Sequence, residues 1–174
     1  MIDCIIYSDS APFACLFEIT EQRDCFYLQE GTLLAKHDRP ILLVEDNPMD
    51  VDLTRRAFSR HKIPNPIHIA RDGEEALSFI PRWEAGEKTP LLILLDLKLP
   101  KVDGLEVLRG FKQHPEYSTI PIVILSTSTE DSDIRVAYLE GANSYIAKPV
   151  DFETFVQIVE NIRIYWCQIN VPPE

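Results

Sequence analysis

Acidic, hydroxyl and amino side chains stand at the ends of apolar runs in this 174-residue chain. They are Glu45-Asp46, Asp96, Ser126 and Lys148, and the apolar runs before them span residues 41–44, 91–95, 120–125 and 144–147. Because parallel strands gather their carboxyl ends at one edge of a sheet, we expect these side chains to converge. Three carboxylates, a hydroxyl and an ammonium in one crevice indicate a site for a divalent cation and a phosphoryl group.

Two of these residues have simpler interpretations when taken singly. Asp46 could cap a helix, and Lys148 could form a surface salt bridge that contributes about 0–1 kcal/mol. The occurrence of the whole set in order, on successive strand ends, favours a single site.

The chain alternates strand-like and helix-like segments five times from Arg39 onward. This alternation predicts an α/β fold, a five-stranded doubly wound parallel sheet flanked by five helices. Expected helix caps are Asn47, Asp72, Ser128 or Thr129, and Asp151. The second helix is expected to end near Pro81, before a polar loop over residues 82–90.

The domain is expected to span residues 38–166, with a short C-terminal tail over 167–174. Residues 1–37 show neither a strand nor a helix period, and two origins for them stay open. They are either an extension that packs on the domain or mediates association, or the product of a start assigned upstream of initiation near Leu33 or Leu34. We assign them no function.

Composition excludes several classes of protein. Apolar residues make up 45% and charged residues 26%, which is ordinary for a globular protein. The net charge of −11 argues against non-specific binding to nucleic acid or to anionic lipid. No apolar run reaches the roughly 18 residues of a membrane span, and no signal peptide is recognisable, so we expect a cytoplasmic protein without membrane contact. The cysteines, Cys4, Cys15, Cys25 and Cys167, are expected to be reduced thiols.

The ordered set Glu45-Asp46, Asp96, Ser126 and Lys148-Pro149 resembles the receiver domain of two-component response regulators, over about residues 38–166. Further sequence segments are similar to the single-domain regulators that partner phytochrome histidine kinases, especially in cyanobacteria. They include Asp72-Gly73-Glu74-Glu75-Ala76-Leu77 and Tyr165-Trp166. The resemblance implies a flavodoxin-like sheet with strand order 2-1-3-4-5. It also implies a phosphorelay role in signal transduction.

The resemblance assigns Asp96 as the phosphoacceptor, which becomes a 4-aspartylphosphate. A Mg²⁺ or Mn²⁺ ion would be held by Glu45, Asp46, Asp96 and the backbone carbonyl of Lys98. Carboxylate and carbonyl oxygens are the ligands that Mg²⁺ prefers.

Lys148 would lie against the acceptor carboxylate, aimed there by a cis peptide to Pro149, and Ser126 and Tyr145 would form the switch. Thr127 and Lys98 are expected to flank the route to the acceptor and to slow hydrolysis of the phosphorylated form.

Signalling is expected to pass through protein contacts. The implied phosphodonor is a histidine kinase, and the resemblance favours one of the phytochrome type. It is expected to dock on the helix that carries Arg55, Arg56 and Arg60. Alternatively, these arginines form an ordinary solvated helix face. The downstream target is unknown. Tyr165-Trp166 makes a homodimer plausible, or these residues belong to the inner face of the last helix.

Three other functions compete with this interpretation. A receiver-like scaffold that is never phosphorylated would need no intact site. An aspartyl-phosphate phosphohydrolase usually needs a second acid two positions after the nucleophile, where this chain has Lys98. A flavin-binding module is supported only by the loop over residues 126–128.

Overall fold

A computed structural model describes residues 38–172 of the chain; the expectations for residues 1–37 lie outside this range. Five parallel strands form one sheet in the order β2-β1-β3-β4-β5, as expected. The strands are β1 (Ile41–Val44), β2 (Ile67–Ala70), β3 (Leu92–Leu95), β4 (Ile122–Ser126) and β5 (Ser144–Ala147).

Five helical regions connect and follow the strands. They are α1 (Pro48–Arg60), α2 (Gly73–Leu77) with α3 (Phe79–Glu84), α4 (Gly104–Lys112), α5 (Asp131–Leu139) and α6 (Phe152–Ile162). The last region continues as a π-helical segment, Arg163–Ile169, with Cys167 buried. The helical region therefore extends three residues into the segment that was expected to be a tail.

Both faces of the sheet are buried, which explains why its central strands are apolar at consecutive positions. Leu42, Ile93 and Ile124 point into a cluster that α2 to α5 cover. Leu43 and Leu94 point the other way, into a cluster covered by α1 and α6. The fold is thus doubly wound, with helices on each side of one sheet.

Side-chain caps start the helices at Asn47, Asp72 and Asp151, as expected. The cap expected at Ser128 or Thr129 is wrong, because Glu130 is the N-cap of α5 and makes no side-chain cap hydrogen bond. Ser128 instead uses its hydroxyl to bind another side chain, as described below.

The predicted end of the second helical region near Pro81 is also wrong. The region breaks at Ser78 and resumes as α3, which places Pro81 in the first turn of the new helix. Proline is tolerated there because first-turn N–H groups have no partner within the helix. The continuation buries Trp83, which packs against Phe111 with ring centroids 5.5 Å apart.

Within residues 38–172, no helix combines the length and the apolar character that crossing a membrane requires.

Candidate functional site

Lys148 lies at the centre of three carboxylates. Its Nζ donates hydrogen bonds to Glu45 Oε2 and Asp96 Oδ2, each at 2.6 Å, and to Asp50 Oδ2 at 3.0 Å. Only 9% of the lysine side chain is exposed. Since an ammonium has three N–H donors, these acids use all of its hydrogen-bonding capacity.

Backbone hydrogen bonds fix three of these residues at the carboxyl edge of the sheet. The Glu45 N–H donates to the last carbonyl of β2 at 2.9 Å, and the Asp96 N–H donates to the last carbonyl of β1 at 3.0 Å. The Lys148 N–H donates to the Ser126 carbonyl at 2.8 Å. Each strand ladder thus continues one residue beyond its strand, which holds the functional residues in register.

The peptide between Lys148 and Pro149 is trans, so the cis peptide implied by the resemblance is wrong for this structure. The lysine reaches the acids because its backbone continues the pairing of β5 with β4.

Electrostatics at the site leave negative charge only partly compensated. Burial raises the pKa of Glu45 to about 7; the hydrogen bond from Lys148 opposes this shift, while Asp96 and Asp50 reinforce it. Burial also disfavours the charged form of Lys148, but its hydrogen bonds to Asp96 and Glu45 prevail and raise its pKa. The ammonium therefore stays charged among three acids, and further positive charge would be stabilised there.

Asp50 was not predicted from the sequence. It stands in the first turn of α1, where an acid is usually explained by the helix dipole. Because α1 begins just after β1, at the same sheet edge, its first turn lies within reach of Lys148. An acid at that place, close after a strand-end acid pair, is the signal that could have revealed it.

The expected metal ligands are only partly brought together. Asp46 is exposed and forms no ion pair with Lys148. Lys98 is exposed, and its N–H donates to Asp96 Oδ1 at 3.1 Å. Among the described residues, no three His, Cys, Asp or Glu side chains stand together as a ready metal-binding group. The lysine ammonium is the cation that gathers Glu45 and Asp96.

The donor set nevertheless fits a hard divalent cation. Glu45, Asp46, Asp96 and the Lys98 carbonyl offer only oxygen atoms, and Mg²⁺ keeps several waters, so it needs few protein ligands.

The two expected switch residues meet at Ser128. Ser126 is fully buried at the end of β4, and its Oγ accepts a hydrogen bond from the Ser128 N–H at 3.4 Å. The Tyr145 hydroxyl donates to the Ser128 carbonyl at 2.9 Å, and burial raises the pKa of this phenol. The Ser128 hydroxyl donates to Asp133 Oδ2 at 2.6 Å, which ties the loop to α5. A movement of Ser126 would therefore be transmitted to both Tyr145 and α5.

A cavity of about 300 Å³ opens beside the cluster. Its polar lining includes Asp50, Thr127 and Lys148, and its apolar lining includes Leu53 from α1 and Phe155 from α6. Thr127 is exposed and lines this cavity together with the lysine.

Known proteins resemble the chain over most of its length. The probable methanogenesis regulatory protein FilR2 of Methanothrix harundinacea is 44% identical over 148 residues, covering 84% of this chain and 96% of that protein. Response regulator Rcp1 of Synechocystis is 37% identical over 135 residues, covering 76% of this chain and 92% of Rcp1. The Mn²⁺-bound crystal structure of Rcp1 matches with a TM-score of 0.71 at 35% identity, over 78% of this chain and 99% of that one.

The crystal structure of the phosphorylated cyanobacterial phytochrome response regulator RcpA matches with a TM-score of 0.74 at 38% identity, over 79% of this chain and 99% of that chain. The family model of the response regulator receiver domain matches residues 41–160. Fold, strand-end residues and relatives agree, and the chain belongs to the response regulator receiver domains, the signalling modules of two-component phosphorelays.

Proposed function

We propose that this response regulator accepts a phosphoryl group on Asp96 from the phosphohistidine of a histidine kinase. The observation that carries the proposal is the convergence of Asp96, Glu45 and Lys148 at the carboxyl edge of the sheet, with both acids 2.6 Å from one ammonium. Asp96 is only 6% exposed, and its carboxyl group accepts hydrogen bonds from Lys148 Nζ and from the Lys98 N–H.

In the transfer step, a carboxylate oxygen of Asp96 attacks phosphorus while the P–N bond to the kinase imidazole breaks. The product is an acyl phosphate on Asp96, and the released imidazole nitrogen takes up a proton. Two anions must approach each other, and the Lys148 ammonium beside Asp96 Oδ2 compensates part of that repulsion. The protein catalyses only its own phosphorylation and dephosphorylation.

Glu45, Asp46, Asp96 and the Lys98 carbonyl would hold Mg²⁺ or Mn²⁺ in the working protein. The bound ion would supply the remaining positive charge and orient the reacting oxygens. The three carboxylates gathered around the single Lys148 ammonium and the Mn²⁺-bound form of Rcp1 support this assignment.

The switch would run from the phosphoryl group through Ser126 to Ser128 and Tyr145. One charge-assisted hydrogen bond contributes about 1.5–3 kcal/mol, whereas moving a population from 1:99 to 99:1 needs about 5.5 kcal/mol. Ser126 alone cannot supply that difference, so Lys148 and the loop at Ser128 must share it.

The kinase would dock on α1. Arg55, Arg56 and Arg60 are exposed there in an otherwise acidic protein; within residues 38–172, Arg56 pairs with Asp52 and Arg60 pairs with Glu153. A phytochrome kinase is the donor that the similarity to RcpA favours. Phosphotransfer from such a kinase, measured in both light states, tests this. The cytoplasm is the location we propose for the protein.

We also propose a homodimer through the outer face of the last helical region. Tyr165 and Ile169 are 51% and 47% exposed there, next to a groove of about 460 Å³ against β5, whereas Trp166 packs on the core. Sedimentation of the phosphorylated and unphosphorylated protein, with Tyr165→Ser and Ile169→Ser variants, tests the interface.

Intact-protein mass spectrometry with Mg²⁺ and acetyl phosphate tests the central proposal. We expect one phosphoryl gain in the wild type and none in Asp96→Asn or with EDTA. If the wild type gains no phosphoryl mass, the hypothesis of a receiver-like scaffold that is never phosphorylated would be favoured. Steady hydrolysis of a generic phosphoester would favour a phosphohydrolase.

A further inference from the structure

An ion pair joins the loop after the acceptor to the loop after β2. Lys101 Nζ lies 2.6 Å from Asp72 Oδ2 and 3.5 Å from Glu74 Oε2. Only 13% of the Asp72 side chain is exposed, and its other oxygen accepts the N–H of Glu75 at 2.7 Å. One carboxylate thus caps α2 and holds the β3–α4 loop, residues 97–103.

Two glycines bring the same loop into close backbone contact with its neighbours. A Cβ on Gly73 would lie 2.2 Å from the Val102 carbonyl oxygen, and one on Gly104 would lie 2.3 Å from the Asp96 carbonyl oxygen. The Gly73 N–H also donates to the Pro100 carbonyl at 3.5 Å. The loop is therefore held between the end of β3 and the start of α2.

Lys101 adopts a backbone conformation that favours glycine, with φ of 66°. A lysine there keeps an unfavourable backbone while its ammonium reaches Asp72. This combination indicates that position 101 holds a lysine because its side chain contacts Asp72, since the local backbone conformation by itself favours glycine.

The held loop is the one that carries Lys98. Its N–H binds Asp96 Oδ1, and its carbonyl is the metal ligand assigned above. We propose that Asp72 and Lys101 are positioning residues, which hold the β3–α4 loop so that the Lys98 carbonyl is presented to the divalent cation. The proposal rests on the metal site of the proposed function and assigns two positioning residues outside that site.

Lys101→Gly provides the sharpest test because its effect on charge and its effect on loop position should change the Mn²⁺ affinity in opposite directions. Glycine relieves the unfavourable φ, so the fold should be kept, and removing a positive charge should by itself tighten cation binding. Loss of positioning should weaken it. We expect Mn²⁺ affinity, measured by electron paramagnetic resonance of the free ion, to fall about threefold to tenfold.

Controls separate charge from position. Lys101→Arg should keep the affinity within about twofold of the wild type, since it preserves the pair. Lys88→Met removes an exposed lysine paired with Asp38, and it should not weaken Mn²⁺ binding. In EDTA, hydrogen exchange of residues 97–103 should be faster in Lys101→Gly and in Asp72→Asn, which keeps a capping oxygen.

Unchanged or tighter Mn²⁺ binding by Lys101→Gly, or unchanged exchange of the loop, would overturn the inference and leave the proposed function intact. A wild-type protein that binds no Mn²⁺ would overturn both.

Discussion

Replacing Lys148 by methionine would leave three carboxylates without their shared cation. Removing one partner of a buried ion pair typically costs about 3–5 kcal/mol. The loss should be smaller here because the pKa of Glu45 is already about 7, so it takes up a proton near neutral pH at little cost. Asp50 has 28% of its side chain exposed and can be hydrated. We therefore expect unfolding free energy in EDTA to fall by about 2–4 kcal/mol.

Excess Mg²⁺ should restore more stability in Lys148→Met than it adds to the wild type. A ligand that binds the folded state stabilises it in proportion to its affinity, and the variant has one positive charge fewer to repel the ion. Urea denaturation near neutral pH, with EDTA or with Mg²⁺, measures both quantities.

Lys112→Met is the matched control. The Lys112 ammonium also makes three hydrogen bonds, to the carbonyl oxygens of Ser118 and Ile120 and to Asn143 Oδ1, but with no carboxylate among them. Its loss should lower stability by an amount independent of Mg²⁺. Equal Mg²⁺ increments in the two variants, or no loss from Lys148→Met in EDTA, would refute the electrostatic account of the site.

Four further variants test other parts of the structure. Gly104→Ala should cost more than about 3 kcal/mol in urea denaturation, because its Cβ would overlap backbone, whereas Gly110→Ala, which meets only the flexible Leu77 side chain, should be nearly neutral. Thr127→Ala should shorten the phosphoryl lifetime about fivefold, if the side chain contributes about 1 kcal/mol to the hydrolysis barrier; an unchanged lifetime by mass spectrometry would count against its shielding role. His61→Ala should cost about 1–2 kcal/mol without changing phosphorylation, since its ring nitrogens contact the Val156 carbonyl at 3.0 Å and Glu160 at 2.9 Å; a loss of phosphorylation would contradict this.

The local sequence was sufficient to predict the sheet and most helix starts. Consecutive apolar residues over 91–95 indicated a strand covered on both faces, and Asn47 and Asp151 cap helices as expected. Local signals failed where a residue could serve two purposes. Pro81 predicts a helix end but lies within the first turn of α3, and Ser128 predicts a helix cap but donates its hydroxyl to Asp133.

By itself, the sequence determined which strand-end side chains reach the carboxyl edge of the sheet, because strand ends follow from the apolar runs. It did not reveal Asp50, which stands in the first turn of a helix. Only the tertiary structure decided which of them touch. Packing α1 against α6 places Asp50 beside Lys148, and the close approach of two loops at Gly73 joins Asp72 to Lys101. Such contacts depend on distances between elements far apart in the chain, and no local pattern encodes those distances.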